Sequence, residues 1–318
     1  MKVILQCDIF ERSKEIFNEA SKKHGIEFFV TDALEEEAML DYHKMGATCF
    51  IIGAEAYSTG FYSKISEGSA IIRYGVGYNN VPIDICLRRN IKVAYTPGTL
   101  TDSVAEHTFA LILGVIRKIP DLHQSMMANE WKGLTGIELK NKTIAIIGFG
   151  LIGQAVAKIA KNGFGMKVNV FDILKITNND IVDFYSDIFE EVVRDADIVS
   201  IHMAASSDNN GFINNEKIDM MKDGAIFINT ARGELVIEED LYVALENGKI
   251  AASGLDVFKD EPYRPGLNMD LRELKNVVFT PHCGSNTIES NNRMAKMTIK
   301  NILAHYSSHA MTLIPEIK

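Results

Sequence analysis

The sequence predicts an α/β protein built from two doubly wound parallel sheets, and three observations lead there. Short apolar runs alternate with helix-like stretches along almost all of the 318 residues, the pattern of parallel strands covered on both faces. The alternation falls into two series, separated by a long helical segment at 102–129. The second series opens on Thr143-Ile144-Ala145-Ile146-Ile147-Gly148-Phe149-Gly150-Leu151-Ile152-Gly153, a strand running straight into glycines spaced G-x-G-x-x-G.

In the first series Val3–Leu5, Phe28–Val30, Cys49–Ile52, Ile71–Ile72 and Lys92–Ala94 read as strands, with helices near 12–23, 35–45, 59–67 and 82–89 between them. Thr101-Asp102-Ser103 supplies capping residues for the segment that follows, whose length predicts one connecting helix. Strands of the second series are expected near 143–147, 167–171, 197–201, 225–229, 250–255 and 277–279. A final helix over about 286–308 is expected to cross back to the first domain. The domain division is therefore 1–100 plus 290–318 for one, discontinuous, domain and 101–289 for the other.

Composition narrows the function classes. Hydrophobic content of 47% and charged content of 24% suit an ordinary globular protein. A net charge of −9 disfavours nucleic acid or an anionic membrane as partner, since either needs a basic face. Cys7, Cys49, Cys86 and Cys283 are widely spaced, with neither metal-ligand spacing nor a disulfide framework, and read as reduced thiols in the cytoplasm. The first apolar run meets Asp8, Glu11 and Arg12, unlike a signal peptide. No stretch approaches the roughly eighteen apolar residues of a membrane span. No metal site is expected.

Each part of the glycine motif has a physical job in dinucleotide binding. Gly148 allows the tight turn, Gly150 lets the backbone approach a pyrophosphate, and Gly153 lets the helix lie close on the strand. The helix N-terminus offers N–H groups and a positive dipole end to the phosphates. Asp172 ends the next apolar run, nineteen residues after Gly153. There a carboxylate accepts from the adenosine ribose hydroxyls and repels a 2′-phosphate, so NAD is expected rather than NADP.

Ligands collect beyond the carboxyl ends of strands in an open parallel sheet. Three such loops of the second series carry Thr230-Ala231-Arg232-Gly233-Glu234, Phe258-Lys259-Asp260-Glu261-Pro262 and Thr280-Pro281-His282-Cys283-Gly284-Ser285. Arginine is a planar, bidentate donor for a carboxylate. Histidine gives or takes a proton near neutral pH, and a neighbouring carboxylate would orient its ring.

These loops also carry a family resemblance. The chain resembles the D-isomer-specific 2-hydroxyacid dehydrogenases over essentially its full length. The resemblance rests on Tyr74-Gly75-Val76-Gly77-Tyr78-Asn79-Asn80, Thr96-Pro97-Gly98, Val104-Ala105-Glu106-His107-Thr108, Trp131 and the G-F-G-L-I-G turn. It is completed by Asn229-Thr230-Ala231-Arg232-Gly233, Gly254-Leu255-Asp256-Val257-Phe258, Glu261-Pro262 and Pro281-His282. It implies a Rossmann NAD-binding domain, a flavodoxin-like substrate domain and a catalytic trio of Arg232, Glu261 and His282. Arg232 would clamp the carboxylate of a small 2-oxo acid, and the backbone of Gly75-Val76-Gly77 would hold its other oxygen. His282 would be the acid in reduction and the base in oxidation, supported by Glu261. The cofactor would be lined by Thr108, Leu151, Ile152, His202, Met203, Ala204, Thr230, Ala231, Arg232, His282 and Gly284. Asp256 would meet the nicotinamide carboxamide, and Thr108 a phosphate. Glu106 and His107 would hold the domain junction.

Several positions depart from the family pattern: Asn79 for a usual Asp, Ala204 for a usual Pro, and Leu151 where many members have Arg. Hydroxypyruvate, glyoxylate and 3-phosphohydroxypyruvate are all candidate substrates, Arg73 standing at a position that resembles a phosphate reader. The end of the sequence at residue 318 is read as excluding the long, serine-regulated type. Two alternatives stand beside the dehydrogenase: an NAD-sensing co-repressor-like protein and a phosphite-type oxidation. A homodimer packed through the junction helix is the expected assembly.

Overall fold

The computed structural model describes residues 1–175, 180–265, 269–307 and 309–317. The chain divides into two compact units, Met1–Leu100 with Asn286–Lys318, and Thr101–Ser285. The chain returns to the first unit at Asn286, slightly before the expected 290. Among the described residues no helix is long and apolar enough to cross a membrane.

The first unit holds β1 (Lys2–Gln6), β2 (Glu27–Thr31), β3 (Cys49–Ile52), β4 (Ala70–Arg73) and β5 (Lys92–Ala94). They form a parallel sheet in the order β2-β1-β3-β4-β5, the flavodoxin-like order. β3 and β4 are buried throughout, as helices on both faces require. The helix expected at 12–23 is Lys14–His24, and a further short helix that was not expected, Cys7–Arg12, precedes it. They break at buried Ser13, which leaves helical geometry and brings its hydroxyl 3.3 Å from the Tyr74 hydroxyl. The last long helix is Ile288–His305, begun by Thr287, whose side chain accepts from Ser290 N. Residue 308, within the expected helix, lies outside the described residues.

The second unit contains β6 (Thr143–Ile147), β7 (Lys167–Phe171), β8 (Phe184–Ser186), β9 (Ile198–Ile201), β10 (Ala225–Asn229), β11 (Ile250–Leu255) and β12 (Val277–Phe279). Their order, β12-β11-β10-β9-β6-β7-β8, is the Rossmann order with one strand added. Ile144 and Ile146 pack into one core and Ala145 and Ile147 into another, one on each face of the sheet. Chain order reverses between β6 and β9, which opens a crevice beyond their carboxyl ends.

Two expectations need correction here. β8 was not foreseen: it is three residues long and begins with exposed Phe184 at the sheet edge. The single helix expected at 102–129 is two, Thr101–Ile116 and Ile119–Met127. Lys118 turns left-handed at φ 54°, and Pro120 follows at the start of the second helix. Proline has no N–H for the carbonyl one turn back and its ring would strike it. That carbonyl, of Ile116, instead accepts from Ile137 N at 3.2 Å.

Candidate active site

The glycine turn leaves β6 at the crevice. Gly148 has φ 96°, and a Cβ there would lie 2.5 Å from Met203 N on the segment leaving β9. A Cβ on Gly153 would lie 2.1 Å from Gly148 O, so the helix Leu151–Phe164 lies on the turn only because both are glycine. Gly150 is exposed, with no atom near its missing Cβ, and no side chain caps the helix it precedes. Asp172 accepts from Phe149 N at 2.7 Å through one oxygen and from Leu174 N at 2.8 Å through the other. A carboxylate has about four acceptor sites, so both oxygens retain capacity for ribose hydroxyls. An open glycine, an uncapped helix start and a fixed acid therefore fit NAD.

Arg232, Glu261 and His282 lie in strand-end loops of this same unit. His282 Nδ1 is 2.5 Å from Glu261 Oε2, and both side chains are about one-third exposed, at 30% and 33%. Glu261 Oε1 accepts from Phe258 N at 3.1 Å, which fixes the carboxylate plane. Arg232 donates through Nη1 to Ala231 O at 2.6 Å. Burial pulls its guanidinium below the ordinary value, while Glu234 and Glu261 act in the opposite sense. Buried Asn229 shapes the arginine loop by accepting from Ala231 N and donating to Arg232 O. A Cβ on Gly233 would lie 1.9 Å from Phe258 C, so the arginine and glutamate loops touch backbone to backbone.

Asp256, only 2% exposed, organises the histidine loop. Its Oδ1 accepts from Thr280 Oγ1 at 2.6 Å and Cys283 N at 2.9 Å, and its Oδ2 from Gly284 N at 2.9 Å. Its backbone carbonyl accepts from His282 N at 2.7 Å. These bonds hold His282 at φ 48°, a left-handed conformation that a residue with a Cβ rarely adopts. Burial works against the Asp256 charge, but hydrogen bonds from His107, Thr280, Cys283 N and Gly284 N outweigh it and keep the carboxyl below its usual range.

Sequence reasoning missed one member of this cluster and its connection. His107, expected at the domain junction, brings Nε2 within 2.9 Å of Thr280 Oγ1 and 3.3 Å of Asp256 Oδ1. Thr280, two residues before His282, was not singled out. Thr108 is fully buried: its hydroxyl donates to Val104 O and pairs with Thr230 Oγ1 at 2.9 Å. His202 lies beyond β9 with Nε2 2.8 Å from Ser200 Oγ and Nδ1 buried without a hydrogen-bond partner. Burial pushes this imidazole down to about 3, so it is neutral at physiological pH. Leu151 and Ala204 are exposed, whereas Ile152, Met203 and Ala231 are half-buried.

In the first unit, Gly75 has φ 143° and lies beneath the Arg73 guanidinium. Its N–H donates to Thr96 Oγ1 at 2.9 Å and its carbonyl accepts from Thr96, so it is already engaged. Val76 and Gly77 are half-buried. Arg73 is 6% exposed and donates to Tyr74 O.

Comparison with known proteins identifies the family. Residues 109–284 match the family described as D-isomer specific 2-hydroxyacid dehydrogenase, NAD binding domain. A glyoxylate reductase of Thermococcus litoralis is 41% identical over 245 residues, 74% of this chain and 72% of that protein. A hydroxypyruvate reductase of Thermotoga maritima is 39% identical over 234 residues, 73% of this chain and 76% of that one. The crystal structure of a glyoxylate reductase from Paecilomyes thermophila superposes with a TM-score of 0.87 at 26% identity, covering 100% of this chain and 99% of that chain. With its Rossmann turn, the acid Asp172 after β7 and the Arg232, Glu261 and His282 loops, the chain belongs to the D-isomer-specific 2-hydroxyacid dehydrogenases, enzymes that use NAD.

Proposed function

We propose that this dehydrogenase reduces a small, unphosphorylated 2-oxo acid, glyoxylate or hydroxypyruvate, and that Arg232, Glu261 and His282 perform the chemistry. The observation that carries the proposal is the 2.5 Å contact between His282 Nδ1 and Glu261 Oε2. It commits Nδ1 to the carboxylate and leaves Nε2 as the atom that meets substrate. Bound NADH supplies the hydride in reduction, and NAD receives it in the reverse direction. As charge develops on the carbonyl oxygen, His282 Nε2 gives it a proton and Glu261 stabilises the imidazolium beforehand. Arg232 holds the carboxylate through its planar fork, with the guanidinium aimed by the Asn229-stitched loop. Positioning of this kind and charge complementarity at the developing alkoxide carry the rate.

Two things favour the unphosphorylated substrates over 3-phosphohydroxypyruvate. Relatives at 41% and 39% identity carry the names glyoxylate reductase and hydroxypyruvate reductase. Arg73, the residue that would read a phosphate, is 6% exposed and bonded to Tyr74 O. The protein is also proposed to be a homodimer. Ile119, Met126, Met127 and Trp131, beyond the long helix, are 54–92% exposed, a run of apolar surface that a second copy would cover.

The test is NADH oxidation across glyoxylate, hydroxypyruvate, 3-phosphohydroxypyruvate, pyruvate and branched-chain 2-oxo acids, with NADPH as control. Turnover is expected on the first two, and turnover confined to the phosphorylated acid would overturn the proposal. Light scattering on the same sample is expected to read two chains, and a mass of one chain would refute the dimer.

A further inference from the structure

We propose that His107, Asp256 and Cys283 form a site for one zinc-like divalent ion, and that its occupancy disables the enzyme. The three residues come from separate elements: the helix Thr101–Ile116, the end of β11 and the loop after β12. One ligand atom from each lies within 4.8 Å of the other two. Bonds of 2.0–2.3 Å in tetrahedral geometry set ligand atoms roughly 3.3–3.8 Å apart, so the trio needs to close by about 1 Å. His107 Nε2 and Asp256 Oδ1 already stand 3.3 Å apart. Imidazole nitrogen, carboxylate oxygen and thiolate sulfur are the donors that zinc takes, and harder ions such as magnesium have no use for sulfur. Thr280 Oγ1 lies 2.6 Å from Asp256 Oδ1 and 2.9 Å from His107 Nε2, within the same cluster.

Charge favours the same ion. The Asp256 carboxylate is almost wholly enclosed. On binding, the metal–sulfur bond forms as the Cys283 S–H bond breaks, and that proton leaves to solvent; the metal–nitrogen bond forms as the His107 Nε2–H bond breaks, the neutral ring taking up its proton at Nδ1. The ion's two positive charges then meet one carboxylate and one thiolate, so the enclosed cluster becomes neutral with no change in oxidation state. Inhibition follows from what Asp256 already holds. Its Oδ1 accepts from Cys283 N and its carbonyl from His282 N. Drawing Oδ1 and the Cys283 sulfur onto an ion displaces the loop that aims His282. This consequence rests on the role proposed above for His282; the metal site itself does not.

The experiment uses the full-length, metal-free protein, titrated with cobalt(II) and separately with zinc(II). One cobalt per chain is expected, with a near-ultraviolet sulfur-to-cobalt charge-transfer band that zinc abolishes and Cys283→Ser lacks. Zinc is expected to inhibit NADH-dependent reduction and a chelator to restore it. Cys283→Ser should need at least about tenfold more zinc than the wild-type protein for half-inhibition of its own metal-free turnover. Absence of the band in the wild-type protein, or a band that persists in Cys283→Ser, overturns the site. Equal zinc sensitivity of the two proteins overturns its link to inhibition. Because the cobalt band needs no substrate, failure of the proposed reaction would leave it readable.

Discussion

His282 and Glu261 lie in different strand-end loops, yet Nδ1 of one is 2.5 Å from Oε2 of the other. The pairing is fixed from both sides. Phe258 N holds the second glutamate oxygen, and Asp256 O holds the histidine backbone. An imidazole gripped at Nδ1 has only Nε2 left to meet another molecule, and the proposed mechanism makes that atom the acid.

Glu261→Gln therefore does more than remove a charge. The amide has a single oxygen, which cannot serve both Phe258 N and His282 Nδ1–H. Turnover is expected to fall at least about a hundredfold, within the range for acid–base catalysis. NADH affinity, read by nucleotide fluorescence, should stay within about twofold of wild type. A variant with wild-type kcat would remove Glu261 from the mechanism.

Gly233 tests how tightly the arginine and glutamate loops are joined. In Gly233→Ala the new methyl would sit 1.9 Å from Phe258 C and 2.1 Å from its oxygen. Backbone must move, at a cost of about 1–3 kcal/mol in an overpacked site. Urea unfolding should show that loss together with reduced activity, and an unchanged midpoint would mean the loops move freely.

Asp172 should govern the choice between cofactors. Asp172→Asn removes the charge that repels a 2′-phosphate with little change of shape. The ratio of kcat/KM for NADH to that for NADPH is expected to drop by about tenfold or more, roughly 1.4 kcal/mol. An unchanged ratio would place discrimination elsewhere.

Stability should fall on mild acidification, and His202 supplies the reason. An unfolded imidazole titrates near pH 6.5, whereas burial holds the folded one down at about 3. Above pH 6.5 both states are neutral and His202 has no effect. Between those two values the unfolded chain binds a proton that the folded chain refuses. Stability is thus lost as pH falls, by up to about 1.4 kcal/mol per unit from this group. Asp256, whose folded carboxyl lies below its usual range, adds a loss in the same direction at lower pH, around and below about 4. Unfolding midpoints between pH 7 and 4 should fall less steeply in His202→Gln, and parallel curves would contradict the assignment.

Much of the fold was legible because its causes are local. The turn needs glycine at Gly148 and Gly153 for contacts within a few residues or one strand away, and the spacing records that need. Strand β8 left little trace because an edge strand of three residues buries too little to show periodicity. The break at Lys118 did have a signal: Pro120 stood inside the expected helix, and the strong apolar pattern on either side masked it. The link from His107 to Thr280 spans 173 residues, and no spacing rule reaches so far. Asp256 was singled out for the carboxamide, but its four internal hydrogen-bond donors arise only from the folded loop around it.

The most direct test is His282→Gln, assayed for NADH-dependent reduction of hydroxypyruvate and, in the same preparation, for NADH binding. Loss of at least about a hundredfold in kcat, with NADH affinity retained, is the expected result. Near-normal turnover in that variant would contradict the assignment of the acid, and with it the reading of the whole site.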